Sequence, residues 1–321
     1  MDGHRILFAG TPEIAVPLLR EISKRFNVVG VLTSCDKSVG RSGKLVPSPV
    51  KAAAVEIGLP VLQFDSIRTP ARESVKALRP DTLLTFAFGR IFGPLFLKLF
   101  SGGCFNVHPS ALPQFRGPSP IQFTIENGLE NATISLQTLG LEMDQGDVWG
   151  ASSFRLDGTE TTQTLTERIA NEAATFVPDL LEEVFSKSVI AKPQVGEASY
   201  CTMIDREFGH LDFRRTVKEN HCKIRSCYPW PKAWTKVNGS DIFVTGVWGG
   251  FKELEQVESM NNGLEVGDAG KIVEFRKDRG IGVQCSDGVL WITRLQLPAK
   301  KELDFKAFVN GNRWILTSRF E

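Results

Sequence analysis

The stretch Cys104 to Pro120, CFNVHPSALPQFRGPSP, places a carboxamide and an imidazole two residues apart, at Asn106 and His108. Short apolar residues precede them, so both sit at the end of a strand and project to the same face. In an open α/β sheet the carboxyl end of a strand opens on the ligand crevice. A carboxamide N–H can stabilise an oxyanion as it forms, and an imidazole with a pKa near neutrality can move a proton. That pairing suits acyl transfer to an amine. A satisfied core histidine beside a turn-forming asparagine would read the same, and the two residues alone leave both readings open. A carboxylate completes the set: Glu142-Met143-Asp144-Gln145-Gly146-Asp147 is an acidic, glycine-containing loop, the kind of segment that carries side chains over a site. Asp144 is placed to orient His108 or a water molecule.

Other chemistry finds less support. Gly10-Thr11-Pro12 lies between a first strand and a first helix, where helix amides can hold an anion, but no GxGxxG accompanies it. Gly40-Arg41-Ser42-Gly43-Lys44 looks like part of a phosphate loop, yet Leu45 follows the lysine, which excludes a P-loop nucleotide-triphosphatase. The six cysteines form no CxxC pair and only four histidines are present. No structural metal site is expected, and a reduced, cytoplasmic protein fits best. The opening MDGHRILFAG has neither a basic region followed by an apolar run nor an Arg- and Ser-rich leader, so the expectation is against secretion or organelle import.

The elements that must position these residues follow from periodicity. Arg5–Gly10 reads as a buried strand, and Ile14, Val16, Leu18, Leu19 and Ile22 have helical spacing after it. Val28–Thr33, Leu59–Leu62, Asp81–Phe88 and Cys104–Val107 read as further strands, and Val50–Ile57, Ala71–Leu78 and Ile91–Phe100 as helices between them. Such alternation calls for a mostly parallel sheet covered on both faces. Thr133–Leu139 and Asp147–Phe154 then suit an antiparallel pair at one edge, and Thr161–Phe185 a long helix. Beyond residue 205 helix signals nearly vanish. Short strands bounded by Asn238-Gly239, Asn262-Gly263 and Asp287-Gly288 predict a small antiparallel barrel. The organisation expected is a catalytic domain over 1–186, a linker over 187–205 and a β-barrel domain over 206–321.

At 321 residues there is room for two ordinary domains, and no apolar stretch approaches the roughly 18–20 residues of a membrane span. The net charge of +1 predicts no polyanion binding by itself, but it is unevenly distributed: residues 206–321 carry 19 Lys plus Arg against 15 Asp plus Glu. A basic barrel attached to a slightly acidic first domain points to a polyanion-binding appendage.

The order and spacing of these motifs resemble the formyltransferases that use 10-formyltetrahydrofolate. FNVHPSALPQFRGPSPIQ is similar to the family's Asn-x-His signature with its following Leu-Pro and Arg-Gly, and GLEMDQGDVWG to its Asp-x-Gly-Asp loop. ILFAGTPEIAVPLL, DKSVGRSGKLVPSPVK and IRSCYPWPKAWT resemble, respectively, the opening, the inserted loop and the second-domain signature of the branch that formylates methionyl-initiator tRNA. The sequence departs from the family at Phe88, where a Tyr is usual, at Cys35, where Pro is usual, and at Ser42, which interrupts an Arg-Gly run.

The resemblance implies a Rossmann-like α/β domain followed by an OB-like barrel, with Asn106, His108 and Asp144 as the catalytic trio and no metal. It implies that Phe88, Gly89, Arg90, Ile91, Phe92, Ser110 and Pro113 hold the folate co-substrate, Ile91 and Phe92 forming an apolar wall. It further implies that Lys37, Arg41 and Lys44 of the inserted loop meet the tRNA, and that the enzyme is a bacterial cytoplasmic monomer. Two rivals are an amino-sugar nucleotide as acceptor and a non-catalytic RNA-binding module. The basic segment 34–51, with Lys37, Arg41, Lys44 and Lys51 against Asp36 alone, argues against the first. The intact trio argues against the second.

Overall fold

A computed structural model describes residues 4–39, 43–254 and 268–321; Arg41, its neighbours Gly40 and Ser42, and the Asn262-Gly263 turn lie outside the described residues. The chain forms two units, Met1–Pro120 with Thr133–Ser153 and Thr166–Cys201, and Ile121–Ala132 with Phe154–Leu165 and Thr202–Glu321. Residues 187–201 of the segment read as a linker therefore belong to the first unit, and the second unit draws two short segments from the region before residue 186.

The first unit is built on β1 (Arg5–Gly10), β2 (Asn27–Thr33), β5 (Val61–Gln63), β6 (Thr82–Phe86), β7 (Gly103–His108), β8 (Asn131–Thr138) and β9 (Val148–Arg155). Their order in the sheet is β5-β2-β1-β6-β7-β8-β9. The pairings of β1 with β2 and β6, β2 with β5, and β6 with β7 are parallel, and β7 with β8 is antiparallel. Ile6, Leu7, Phe8 and Ala9 of β1 are all fully buried, as a central parallel strand covered on both faces requires. Helix α1 (Val16–Arg25) turns Val16, Leu18, Leu19 and Ile22 inwards and ends on Lys24 and Arg25, which suit the negative end of the helix dipole. Helix α2 (Pro49–Glu56) starts where the Ser48 hydroxyl accepts from the Lys51 amide, with Pro49 at its first position. The segment before it holds a small hairpin of β3 (Lys37–Val39) and β4 (Lys44–Val46), which periodicity does not reveal.

Proline chemistry moves two other elements. The helix expected over 91–100 is reduced to α4 (Pro94–Leu97), after α3 (Thr69–Ala77) in chain order. Gly93 before Pro94 is extended, at φ −78° and ψ 165°, because a residue preceding proline is pushed out of the helical region. The four-residue spacing that mimicked a helix here is a ladder of rings instead. Phe88 stacks on Phe92 at 5.2 Å, Phe92 on Phe96 at 4.9 Å, and Phe96 meets Phe100 at 5.6 Å. Similarly, β5 begins only after Pro60, which has no N–H for a ladder. Two further helices, α5 (Pro120–Glu126) and α6 (Thr162–Phe185), come after β7 and β9 in chain order.

In the second unit an antiparallel sheet runs β10 (Ala233–Val237), β11 (Ser240–Val247), β14 (Val289–Gln296), β13 (Gly280–Gln284), β12 (Ile272–Arg276), with β15 (Leu303–Asp304) on β14. The sheet is not closed by direct pairing of β10 with β12 in this order. Two C-terminal residues span the opening: Phe320 bridges Val237 and Arg319 bridges Lys271. Leu211, Ile242, Val244, Ile281, Ile292, Leu295 and Ile315 fill the interior with no measurable exposure or nearly none.

Helices do occur past residue 205, contrary to expectation: α7 (Val217–Ser226) and a helix at Phe305–Gly311. The start of α7 is a capping box, Thr216 to Glu219, in which each side chain reaches the other residue's amide. Its one-turn spacing puts His221 and Arg225 together inside the unit. Arg225 Nε donates to His221 Nδ1 at 3.1 Å, and Nη1 to the Glu160 carbonyl at 2.9 Å. The His221 ring sits 3.0 Å from the Gly249 carbonyl through its other nitrogen.

Burial, and after it the Arg225 charge, holds the His221 pKa at about 3. The folded protein therefore keeps this ring neutral, while the unfolded chain protonates it below about pH 6.5. Stability should consequently fall as the pH drops from about 6.5 towards 3, by up to about 1.4 kcal/mol per pH unit from this group. Urea unfolding at pH 7, 6 and 5 tests this. The decline should be shallower in His221→Gln, and an equal slope in both proteins would contradict it.

Candidate active site

The register of the first unit's sheet, parallel between β6 and β7 and antiparallel between β7 and β8, aligns a row of polar side chains across it. Thr85 of β6 pairs with Asn106 of β7, which pairs with Gln137 of β8, and the next step up pairs His108 with Ser135. The Asn106 Oδ1 accepts from the Thr85 hydroxyl at 2.6 Å, which turns its Nδ2 towards Asp144 Oδ1, 3.4 Å away. Gln137 Nε2 donates to the same Asp144 oxygen at 2.8 Å. The other carboxylate oxygen, Oδ2, accepts from the Gly117 amide at 2.9 Å. His108 Nδ1 lies 3.5 Å from Asp144 Oδ1. The three residues singled out in the sequence thus converge on one carboxylate, which has only 12% of its side chain exposed.

His108 is 4% exposed, and its Nε2 is 3.0 Å from the Phe115 carbonyl. A carbonyl only accepts, so the Nε2 carries the proton and Nδ1 presents its lone pair towards Asp144. Burial lowers the His108 pKa, with the Asp144 charge and the Phe115 carbonyl working in the opposite direction. The neutral imidazole and the carboxylate beside it form a proton-accepting pair. Asn106 and Asp144 have intermediate exposure, hence are open to a substrate, while His108 is buried behind them.

The loop that carries Asp144 is held in an unusual shape. Asp144 has φ +54°, in the left-handed region that costs roughly 1–2 kcal/mol for most side chains and that aspartate tolerates better than most. Gly146 packs so closely that any Cβ there would overlap the Thr138 carbonyl oxygen. Gly117, at φ +119°, likewise leaves no room for a Cβ beside the Cys201 carbonyl. Both glycines were legible in the motifs, but the partners that demand them were not.

Family models match both parts of the chain: one described as formyl transferase over residues 4–181, and one as formyl transferase, C-terminal domain, over 203–313. The chain is 39% identical to a methionyl-tRNA formyltransferase of Treponema pallidum, covering 98% of each chain. A methionyl-tRNA formyltransferase of Borrelia turicatae is 34% identical, over 98% of this chain and 99% of the relative. The chain belongs to the methionyl-tRNA formyltransferase family. Among solved structures, an N-formyltransferase from Helicobacter canadensis, in complex with folinic acid and dTDP-3-aminofucose, shares the fold with a TM-score of 0.64 at 18% identity. That likeness covers 89% of this chain and 97% of the other.

The residues expected around the folate divide into two groups. Phe88 and Phe92 are buried in the ring ladder, whereas Ile91, expected beside Phe92 as an apolar wall, is 74% exposed. Ala87 and Gly89 both have positive φ, so the chain reverses sharply at the end of β6. Arg90 donates through Nη1 to the Phe64 carbonyl. Ser110 is buried and spends its hydroxyl on the Gln114 carbonyl, while its own carbonyl accepts from Ser135. It therefore braces the turn after β7, and Pro113 lies in the same turn. Lys37 and Lys44 are exposed on the β3–β4 hairpin. Lys51 is not free with them, because it pairs with Asp36 at 2.7 Å.

Several residues of the site were not singled out from the sequence: Thr85, Gln137, Arg116 and Gln194. Ser135 and Gln137 did leave a signal, two polar residues alternating with buried Ile134 and Leu136 in one strand. Gln194 left none, since it lies in polar chain without period.

Gly146→Ala should displace the Asp144 loop. The expected outcome is a loss of about 1–3 kcal/mol in stability from overpacking, together with a drop in transfer of the order of 100-fold from misplacement by about 1 Å. Chemical denaturation and steady-state kinetics of the same preparation measure both.

Proposed function

We propose that this chain transfers the formyl group of 10-formyltetrahydrofolate to the α-amine of methionyl-initiator tRNA, with Asn106, His108 and Asp144 as the catalytic residues. The observation that carries the proposal is the convergence of Asn106 Nδ2 and His108 Nδ1 on Asp144 Oδ1, in a chain whose relatives of nearly equal length are named for that reaction.

In this reading the neutral amine attacks the formyl carbon. Asn106 Nδ2–H, aimed by Thr85, stabilises the oxyanion that develops on the formyl oxygen. Asp144 Oδ1 receives the proton that the amine must lose, and His108 Nδ1 beside it shares that proton. The same pair returns it to the departing folate nitrogen as the bond between that nitrogen and the formyl carbon breaks. Proton, formyl group and electron pairs balance without a metal or an oxidant. The Cys201 thiol sits on the Phe115 and Arg116 carbonyls, and burial pushes its pKa up.

The turn at Phe88–Phe92, with Ser110 and Pro113 on the neighbouring turn, is the proposed seat of the folate. Lys37, Arg41 and Lys44 of the inserted segment, with the basic C-terminal unit, are the proposed contacts to tRNA in a bacterial cytoplasm, the enzyme acting as a monomer. The fold shared with the Helicobacter protein keeps one rival in view, an amino-sugar nucleotide as acceptor. The same trio would serve it, but two exposed lysines on a hairpin before α2 have no evident use for so small an acceptor.

Radiolabelled formyl transfer to methionyl-initiator tRNA, measured beside transfer to an amino-sugar nucleotide, separates the two. Transfer to the tRNA alone is expected. Asn106→Ala should fold normally and lose on the order of 100-fold or more in kcat, the usual cost of one oxyanion donor. Activity within a few-fold of the parent enzyme would remove Asn106 from the mechanism.

The paired substitution Lys37→Ala and Lys44→Ala should weaken tRNA binding and leave folate KM unchanged. The slope of log affinity against log salt should become shallower by about 0.7–0.9 for each phosphate that is no longer neutralised. An unchanged slope would mean these lysines do not touch the tRNA backbone.

A further inference from the structure

Gln194 lies in the extended chain that follows α6, five residues before Ser199. This chain is pinned on either side of it. Lys192 exchanges two backbone hydrogen bonds with Val148 at 2.8 and 2.9 Å. On the far side Ser199 accepts from the Phe115 amide through its hydroxyl and from the Arg116 amide through its carbonyl, both at 2.9 Å.

Between these anchors the Gln194 carboxamide uses its whole hydrogen-bonding capacity. Its Nε2 donates to the carbonyls of Asp144 and Gly146, each at 2.8 Å. Its Oε1 accepts from Arg116 Nε at 3.1 Å and Nη2 at 2.7 Å. Two N–H donors and two lone pairs are all a carboxamide has. The orientation is also forced, because two carbonyls require the amide nitrogen and a guanidinium requires the oxygen.

These hydrogen bonds close a ring. Gln194 holds the backbone of Asp144 and Gly146, and the Asp144 carboxylate accepts from the amide of Gly117. Gly117 follows Arg116 in the chain, and the Arg116 guanidinium returns to Gln194. The carboxylate is thus fixed from both its backbone and its oxygen, at a residue whose left-handed φ of +54° the loop must hold in place. No other side chain of similar length supplies both halves: Glu lacks the donors, Met lacks both, and Lys lacks the acceptor.

We infer that Gln194 is a positioning residue for catalysis, setting where the Asp144 carboxylate stands against Asn106 and His108. The inference rests on the role proposed for Asp144 above. Gln194 touches no reacting atom, so its loss should appear in the chemical step and leave folate binding alone.

The test compares Gln194→Met, which keeps length but makes neither set of hydrogen bonds, with Gln194→Glu, which keeps the acceptor for Arg116 and turns a carboxylate oxygen on two carbonyls. In the full-length protein, Gln194→Met should lower kcat by about 10-fold or more, up to the ~100-fold that a 1 Å misplacement of a catalytic group costs, with KM for 10-formyltetrahydrofolate within twofold. Gln194→Glu should be at least as impaired, because Arg116 favours its ionised form and that sets a negative oxygen against two carbonyls. A structural role alone would not confine the loss to kcat.

A kcat within twofold of the parent for Gln194→Met would overturn the inference, and so would a loss confined to KM. If Gln194→Met does not fold, Gln194→Glu decides, and a kcat within twofold of the parent enzyme there overturns the inference. Asp144→Asn assayed alongside separates this inference from its premise. An inactive Asp144→Asn with unaffected Gln194 variants rejects only the positioning role, whereas an active Asp144→Asn rejects the site assignment itself.

Discussion

The Asp144 carboxylate is the constraint around which the first unit is arranged. A carboxylate this far out of water needs donors for its oxygens, because an unpaired buried charge is expensive. The donors come from three distant parts of the chain: the Gly117 amide, the Gln137 carboxamide and, more weakly, the Asn106 carboxamide. Each donor imposes its own geometry. Gln137 must stand opposite Asn106 in the antiparallel register of β7 and β8, and a shift of one residue would turn it to the other face of the sheet. The Gly117 amide can reach Asp144 only because the chain there runs through a positive φ beside Cys201. The loop can bring Asp144 to them only because Gly146 has no Cβ.

Two buried imidazoles show how similar burial serves different ends. His108 and His221 both have lowered pKa values, and in both burial is the main cause. At His221 the neighbouring charge is Arg225, which pushes further in the same direction and leaves a neutral acceptor for the guanidinium. At His108 the neighbour is Asp144, which opposes burial and leaves Nδ1 facing a carboxylate. The first arrangement resists protonation and anchors a helix. The second is poised to take a proton when one arrives between the two groups.

The C-terminal unit depends on its last residues in a comparable way. Its sheet leaves β10 and β12 as the ends of the strand order, and exposed edges are a liability in antiparallel sheets. Arg319 and Phe320 bridge to the two sides of this opening, and the Glu321 amide donates to the Lys236 carbonyl at 2.9 Å. The Phe320 ring is 1% exposed and packs on Phe213 at 5.4 Å. Phe320 is therefore part of the core of this unit.

Local sequence rules were enough to establish the class of the first unit and the nature of its chemistry. Alternating apolar strands and amphipathic segments required a covered parallel sheet, and the i, i+2 spacing of Asn106 and His108 put both on one face, because these properties are local and periodic. Local rules also explain where periodicity misleads. Pro94 and Pro60 shift element starts by steric effects that a count of apolar residues overlooks, and Phe88, Phe92, Phe96 and Phe100 imitate helical period while stacking as rings. The Thr216–Glu219 capping box is a local signal for α7 that the expectation of strands beyond residue 205 passed over. The partners, by contrast, come from the folded chain alone: Thr85 from β6, Gln137 from β8, Gly117 from the turn after β7, and Gln194 from chain with no periodicity at all. Their hydrogen bonds join residues 7 to 78 positions apart. Nothing in a side chain's own neighbourhood records such a partner, because the geometry that selects it exists only once the sheet register and the loop glycines have brought the two together.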